Sequence, residues 1–148
     1  MTPSGDPSVH ASAVLAGSRA ILIRGASGSG KSRLAFDLIL AGRADIVPKV
    51  TLIGDDRVRL SERDGRVVVR PVAELAGMIE IRGLGIRHCD FVPEGEIGLV
   101  VDLDAADATR LPVPQALEVT LMGVALPRIP VARGWDSLPL VAAFLTTT

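Results

Sequence analysis

The segment GASGSGKS at residues 25–32 constrains this chain more than any other stretch of its sequence. It matches the pattern G-x-x-x-x-G-K-[ST], a glycine-rich loop that joins a strand to a helix and wraps a phosphate group. The apolar run AILI precedes it at 20–23, and residues 31–42 carry apolar side chains at helical spacing. We therefore predict a strand, a phosphate-binding loop and a helix in this order, with Gly42 as the C-terminal cap of the helix.

The chemistry of such a loop explains its residue types. Glycines let the backbone turn tightly with its N–H groups pointing inwards, and the helix N-terminus adds a favourable dipole. The lysine reaches the β- and γ-phosphates of a nucleotide, and the hydroxyl that follows it holds Mg²⁺. The alternative, a glycine-rich turn without function, is disfavoured by the flanking strand and helix. We therefore predict ATP and Mg²⁺ as cofactors, bound by Gly25, Ala26, Ser27, Gly28, Ser29, Gly30, Lys31 and Ser32.

The composition is that of a globular protein and argues against several kinds of partner. Of the 148 residues, 48% are hydrophobic and 22% are charged, which suits one domain with a core. The net charge of -1 attracts no nucleic acid, and no apolar run reaches the roughly 20 residues that cross a membrane. The single cysteine, Cys89, and the absence of a signal-peptide pattern favour a cytoplasmic protein. We predict a flexible tail over residues 1–8 and a single domain over 9–148.

Beyond the first helix, the pattern is mostly that of short β-strands. Two β-rich runs flank the pair Asp64-Gly65, which is typical of a hairpin turn. The closing segment 136–145 has helical spacing, with Asp136 or Ser137 as its N-cap. The fold class that we predict is α/β, richer in strand than in helix. Its further strands cover residues 50–53, 78–83, 96–104 and 117–131, the last of them broken near Gly123 and Pro127.

Two pairs of aspartates are candidates to assist the loop. A nucleotide-bound metal usually needs an aspartate at the end of a neighbouring strand. Asp55 and Asp56 directly follow a predicted strand, and burying both without a cation would be costly. One of them could hold the metal and the other take a proton, whereas a solvated turn is the plain alternative. Asp102 and Asp104 alternate with an apolar residue, and we interpret them as surface positions at a strand end.

Four segments together make the sequence similar to the catalytic domain of HPr kinase/phosphorylase. The resemblance covers most of residues 9–104. It implies a phosphate-loop fold related to phosphoenolpyruvate carboxykinase. It also implies transfer of phosphate from ATP to a serine of HPr, the phosphocarrier protein of the bacterial sugar phosphotransferase system, and the reverse phosphorylase reaction. The four segments are VHASAV at 9–14, GASGSGKS at 25–32, GDDRV at 54–58 and GMIEIRGLGI at 77–86.

The same resemblance implies a role for each matching residue. Asp55 corresponds to the catalytic aspartate that takes the serine proton, and His10 would stand near it and tune it. Asp56 corresponds to the metal-associated acid, and together with Ser32 and Glu80 it would form the metal site. Arg82 would steady phosphate oxygens through two hydrogen bonds. The plain alternatives are an exposed His10 at the end of the tail and a surface ion pair between Glu80 and Arg82.

The chain also departs from the family pattern. Longer members carry an N-terminal domain and a C-terminal helical extension, and they form hexamers, so a homo-oligomer is one expectation for this chain. Their basic segment near the active site has its nearest match in ARGWDS at 132–137, where Arg133 could supply the charge. The function predicted is an ATP-dependent protein serine kinase acting on HPr. The alternatives are a nucleotide-sensing module without phosphate transfer, and a carboxykinase-like small-molecule kinase, for which the hairpins leave little room.

Overall fold

Short runs of Val, Ile, Leu and Ala with alternating burial make most of this chain a β-sheet. The computed structural model describes residues 6–148. Within this range the helices are α1 (Lys31–Arg43) and α2 (Ser137–Thr146). The strands are β1 (Ser8–His10), β2 (Ser12–Ala16), β3 (Arg19–Arg24), β4 (Val50–Gly54), β5 (Arg57–Arg63), β6 (Arg66–Pro71), β7 (Met78–Ile81), β8 (Gly85–His88), β9 (Gly95–Leu103), β10 (Glu118–Leu121) and β11 (Val124–Val131).

The main sheet is built around β9. Its strand order is β1-β5-β6-β9-β3-β2-β4, and β11 adds to β9 and carries β10 along its other side. β9 runs parallel to β3 and to β11. β6 pairs antiparallel with β9, but only with the first two residues of β9. β7 and β8 form a separate two-stranded hairpin. The predicted α/β class, strand-rich with a helix after the loop and a closing helix, is confirmed.

The two faces of the sheet bury different apolar layers. Ile21 and Ile23 face α1 and α2, whereas Ala20 and Leu22 of the same strand belong to the layer on the opposite face. This alternation follows from the two-residue period of a strand. Each fully buried Leu or Ile side chain contributes about 1.5–3 kcal/mol. The strand that carries the phosphate loop therefore lies at the centre of the core.

The end of α1 differs from the sequence prediction at Gly42. The helix continues through Gly42 to Arg43, and the C-cap is Ala44. A Cβ atom on Gly42 would lie 2.7 Å from the backbone nitrogen of Val50 and 3.2 Å from the Pro48 carbonyl oxygen. Glycine is needed here because the helix packs directly on the start of β4, and the prediction of a cap was wrong.

The turns bear out most of the remaining pattern. Asp64 and Gly65 take positive φ values of 54° and 78°, as a two-residue hairpin turn between β5 and β6 requires. The break at Gly123 is also present, but Pro127 does not interrupt β11. Pro127 lies before Arg128, where the pairing of β11 with β9 begins, so its missing N–H costs no hydrogen bond to β9.

The N-terminal tail was predicted over residues 1–8. Residues 1–5 lie outside the described residues. Asp6 accepts a hydrogen bond from Arg59 through its carbonyl oxygen, and Ser8 begins β1, so these residues pack on the sheet. In the part of the chain from 6 to 148, no helix has the length and apolar character needed to span a membrane.

One edge of the sheet collects the ends of four strands. β4 is antiparallel to β2, and β2 is antiparallel to β3, so β4 runs in the same direction as β3, β9 and β11. The carboxyl ends of these strands therefore lie at the same edge, which is where open α/β sheets bind their ligands.

Candidate active site

The loop after β3 has the backbone that a phosphate cradle needs. Gly28 and Gly30 take φ values of 82° and 102°, in a region that favours glycine. Gly25 has a different constraint, because a Cβ atom there would clash with the Ser29 hydroxyl and lie 3.1 Å from the Leu103 Cβ. The Ser29 amide closes the loop by donating to the Ala26 carbonyl oxygen at 3.0 Å. The predicted loop is therefore present with its glycines where the backbone requires them.

The two polar side chains at the end of this loop point to different partners. The Lys31 ammonium donates to the carbonyl oxygens of Gly25 and Ala26, at 2.8 and 3.1 Å, and so lies across the loop. The Ser32 hydroxyl lies 2.8 Å from each carboxylate oxygen of Asp55. Because a hydroxyl has one proton and gives it to Asp55, its lone pairs are left for a cation.

Asp55 is the buried centre of the site. Asp55 directly follows β4 in the chain and is only 3% exposed. Besides the Ser32 hydroxyl, it accepts hydrogen bonds from the Ser12 hydroxyl at 2.6 Å and from the Glu80 amide at 3.0 Å. All these donors are neutral, so none of them offsets a negative charge on the enclosed carboxylate. This arrangement suits an acid that orients Ser32 and attracts a cation, and it leaves Asp55 poorly exposed to a substrate.

Asp56 has the opposite environment. It is exposed, takes a positive φ of 66°, and faces a cavity of about 800 Å³. Glu80 and Arg82 line the same cavity, together with the loop residues Ser27 to Ser32. The geometry therefore brings Ser32, Asp55, Asp56, Glu80 and Arg82 into one site. Asp56 is thus open to the cavity and Asp55 is enclosed. The roles that the resemblance implied, Asp55 as the acid that takes the serine proton and Asp56 as the metal-associated acid, stay predictions.

The predicted metal residues do not enclose a cation by themselves. Among residues 6–148, no cluster of three or more His, Cys, Asp or Glu side chains has the arrangement of a metal site. Mg²⁺ usually keeps several waters and binds through one or two carboxylates and the substrate phosphates. The hydroxyl of Ser32 with Asp55 behind it, and Glu80 at the cavity wall, fit such an open site. The ion pair considered between Glu80 and Arg82 does not occur among the described residues.

His10 lies next to this site but pairs with a different residue. It is exposed on β1, and its Nε2 atom is 2.8 Å from a guanidinium nitrogen of Arg57, its partner across the strands. Since a guanidinium only donates, Nε2 is the accepting atom of this contact. In the described part of the chain, Asp55 receives its hydrogen bonds from other residues. Among the described residues His10 makes no hydrogen bond to Asp55, and its expected influence on Asp55 stays a prediction.

A second ionic centre was missed by the sequence analysis. Asp102 accepts two hydrogen bonds from Arg24, at 2.7 and 2.9 Å, and one from Arg128 at 2.6 Å. Arg128 in turn reaches Asp107 at 2.7 Å. Burial alone would raise the pKa of Asp102, but the hydrogen bonds from Arg24 and Arg128 outweigh it and lower the pKa. This network joins β3, β9 and β11. The sequence feature that could have revealed this network is the two-residue alternation of β9, which puts Asp102 on a covered face of the sheet.

Arg133 belongs to the turn after β11. It is exposed, and its neighbours Ala132 and Gly134 line the cavity. The segment that resembles the basic element of longer proteins therefore borders the site.

Comparisons with known proteins agree with this geometry. Residues 4–146 match the family described as "HPr Serine kinase C-terminal domain". HPr kinase/phosphorylase of Azoarcus sp. is 34% identical over 143 aligned residues, which cover 86% of this chain and 43% of that protein. The corresponding protein of Geobacillus thermodenitrificans is 32% identical over 77% of this chain and 39% of its own length.

The chain thus spans less than half the length of these curated relatives. A solved structure, the Hpr(Ser) kinase/phosphatase from Coxiella burnetii, has the same fold, with a TM-score of 0.73 at 22% identity over 93% of this chain and 87% of that one. With the phosphate loop, the buried acid beside it and the family match in agreement, this chain belongs to the HPr serine kinase C-terminal domain family.

Proposed function

We propose that this chain transfers the terminal phosphate of ATP, with Mg²⁺, to a serine of an HPr-like phosphocarrier protein. The observation that carries the proposal is the contact of the Ser32 hydroxyl with buried Asp55, beside the freely accessible carboxylate of Asp56. A protein that only holds a nucleotide needs the first of these acids but has no use for the second. Membership of the family supports HPr as the acceptor.

The loop would bind the phosphates through its backbone amides and Lys31. Ser32 and Glu80 would hold the metal, with Asp55 orienting the Ser32 hydroxyl. Mg²⁺, when bound, would supply positive charge that offsets the negative charge on the phosphate oxygens while the bond between the γ-phosphorus and the bridging oxygen breaks. Ser12 and the Glu80 amide keep Asp55 in position by donating to it.

Asp56 would act as the general base. It would take the proton from the serine hydroxyl as the seryl oxygen bonds to the γ-phosphorus and ADP leaves with the bridging oxygen. In the phosphorylase direction, the same residue would return a proton to the seryl oxygen while inorganic phosphate attacks the phosphoserine. Arg82 would steady the transferred phosphate. His10 would act from the rim of the site through Arg57 rather than by touching the base.

The setting proposed for this reaction is the cytoplasm, where a lone thiol such as that of Cys89 stays reduced. We also propose that copies of the chain associate, because longer members of the family are hexamers. Light scattering of the purified chain measures this directly.

The test is incubation of the chain with HPr and ATP labelled at the γ-phosphate. Wild-type protein should form phosphoserine on HPr, and Asp56→Asn should lower the rate by about 10²–10⁴-fold, the usual worth of a general base. Asp45→Asn serves as a matched control, because Asp45 is exposed and has a positive φ that asparagine tolerates. Failure of wild-type protein to label HPr, or an Asp56→Asn variant with full activity, would contradict the proposal.

A small-molecule kinase stays the second candidate because of the size of the cavity. About 800 Å³ is room for a nucleotide and a small acceptor, more than the hairpin-rich sequence led us to expect. A screen of sugars and amino acids for ADP release separates the two functions. Turnover with a small acceptor and none with HPr would favour this candidate.

A further inference from the structure

We propose that the part of the cavity beside Trp135 binds the nucleoside part of the nucleotide, with the base stacked on the Trp135 indole. The inference rests on the proposed nucleotide binding by the loop, and it adds to that function a second subsite that recognises the base.

The position of the acids gives the bound nucleotide a direction. Asp55 follows β4, which lies on one side of β3 in the sheet, and it holds Ser32 from that side. The β- and γ-phosphates therefore lie towards β4. The rest of the nucleotide must extend the other way, past the end of β9 towards β11. The segment 132–136 follows β11 at this end of the cavity.

The backbone at Trp135 is held in a turn there, and its side chain is not buried. It is 44% exposed and lines the same cavity as Lys31. Its amide donates to the Ala132 carbonyl oxygen at 3.1 Å, closing a four-residue turn in which Gly134 takes a φ of 85°. The next residue, Asp136, caps α2 by accepting from the Leu138 amide at 3.3 Å. An exposed aromatic side chain at the wall of a cavity offers a surface on which a nucleobase can stack.

The charges around Trp135 select the uncharged part of a nucleotide. Asp37, Asp104 and Asp136 line this part of the cavity, and Arg33 pairs with Asp37 at 3.7 Å. Burial raises the pKa of Asp37; Arg33 opposes that rise, and the charge of nearby Asp136 adds to it. Three carboxylates repel a phosphate but accept hydrogen bonds from ribose hydroxyls and from the amino group of a base. The subsite is therefore complementary to a nucleoside.

The sole tryptophan of the chain makes the test direct. The full chain is titrated with ADP and, separately, with pyrophosphate, each with Mg²⁺. ADP should quench the Trp135 emission, whereas pyrophosphate, which has no base, should bind the loop with little change in emission. By calorimetry, Trp135→Leu should weaken ADP about tenfold, the effect of losing one stacked base, and leave pyrophosphate within about twofold. Phe144→Leu is the matched control, an aromatic of the same 44% exposure on α2 that is not part of the cavity wall.

The outcomes separate this inference from the proposed function. If pyrophosphate binds but ADP binds no more tightly, or if Trp135→Leu weakens both ligands equally, the subsite is refuted while phosphate binding by the loop stands. If neither ligand binds, the loop function fails and the subsite fails with it. A Trp135 emission that responds to HPr and not to ADP would assign this surface to the protein partner and overturn the inference.

Discussion

Asp55 and Asp102 are two carboxylates on either side of the phosphate-loop strand, and they are stabilised in opposite ways. Within residues 6–148, Asp55 accepts only from neutral donors, the hydroxyls of Ser12 and Ser32 and one backbone amide. Asp102 accepts from the guanidinium groups of Arg24 and Arg128. The first carboxylate is enclosed but its charge is not neutralised, whereas the second is neutralised twice over.

This difference in hydrogen-bond donors distinguishes a carboxylate that can attract a cation from one that stabilises the sheet. A carboxylate held by neutral donors still attracts a cation, so Asp55 can serve a metal beside the loop. A carboxylate between two arginines attracts nothing further, and its role is to join β9 to its two parallel neighbours, β3 and β11. The same residue type, at the same edge of the sheet, is thus left able to attract a cation in one place and is fully paired in the other.

The largest effect should come from Asp102→Asn, because it leaves two arginines facing a neutral amide. We expect a loss of about 3 kcal/mol in the free energy of unfolding, as for other buried ion pairs that lose one partner. Urea denaturation measures it. Asp107→Asn is the control, since Asp107 is 53% exposed and solvent screens its pair with Arg128, so its loss should be much smaller. Equal losses in the two variants would show that the central carboxylate has no special role.

Asp55→Asn should affect the cation rather than the fold. We expect the Mg²⁺ concentration that supports ADP binding to rise about 10–100-fold, the usual cost of losing a residue that orients a metal ligand. Calorimetric titration at several Mg²⁺ concentrations gives the value. Asp102→Asn, assayed at a temperature where it is folded, should show the wild-type Mg²⁺ dependence. If both variants shift the Mg²⁺ requirement by the same amount, the proposed difference between Asp55 and Asp102 is wrong.

Ser12→Ala should have an intermediate effect on stability. It removes one donor to a buried carboxylate and should cost about 1–2 kcal/mol. Ser61→Ala makes the matched control, because the buried Ser61 hydroxyl has no hydrogen-bond partner among residues 6–148 and its removal should cost nothing. Thermal unfolding of both variants tests this, and a Ser61→Ala loss as large as that of Ser12→Ala would count against the role of Ser12.

The smallest effect should be on pH dependence. Because the pKa of Asp102 is lowered in the folded state, its contribution is present above the unfolded value of about 3.9 and is lost as the pH falls through the folded pKa. The stability difference between wild type and Asp102→Asn should therefore narrow below about pH 4. Denaturation at pH 7 and at pH 3 checks the sign, and a difference that stays constant would exclude Asp102 as the titrating group.

The parts predicted from the sequence are those whose causes are local. The strand–loop–helix unit at 20–42 follows from glycines and apolar spacing within one stretch, and the turn at Asp64-Gly65 from a single dipeptide. The acidic pair Asp55-Asp56 was also found locally. The difference in exposure between the two acids was not, because it depends on the positive φ of Asp56 and on Ser12, which is 43 residues away from Asp55.

The parts that could not be predicted have distant causes. Arg24 and Asp102 are 78 residues apart, so only the parallel pairing of β3 and β9 brings them together. His10 meets Arg57 across 47 residues. Gly42 looked like a helix cap because glycine often is one, but its reason is the backbone of β4. Proposed roles that rest on such meetings, those of His10 and Arg82 above all, stay predictions until the variants are measured.

The close approach at Gly42 also limits how the molecule can move. Helix α1 is fixed at one end by Ser32, which is bonded to Asp55, and at the other by Gly42, which rests on the backbone at Val50. Both anchors belong to β4 or follow it directly, so α1 and β4 are joined at both ends of the helix. A ligand that displaced the phosphate end of α1 would therefore have to displace the end of β4 and Asp55 with it.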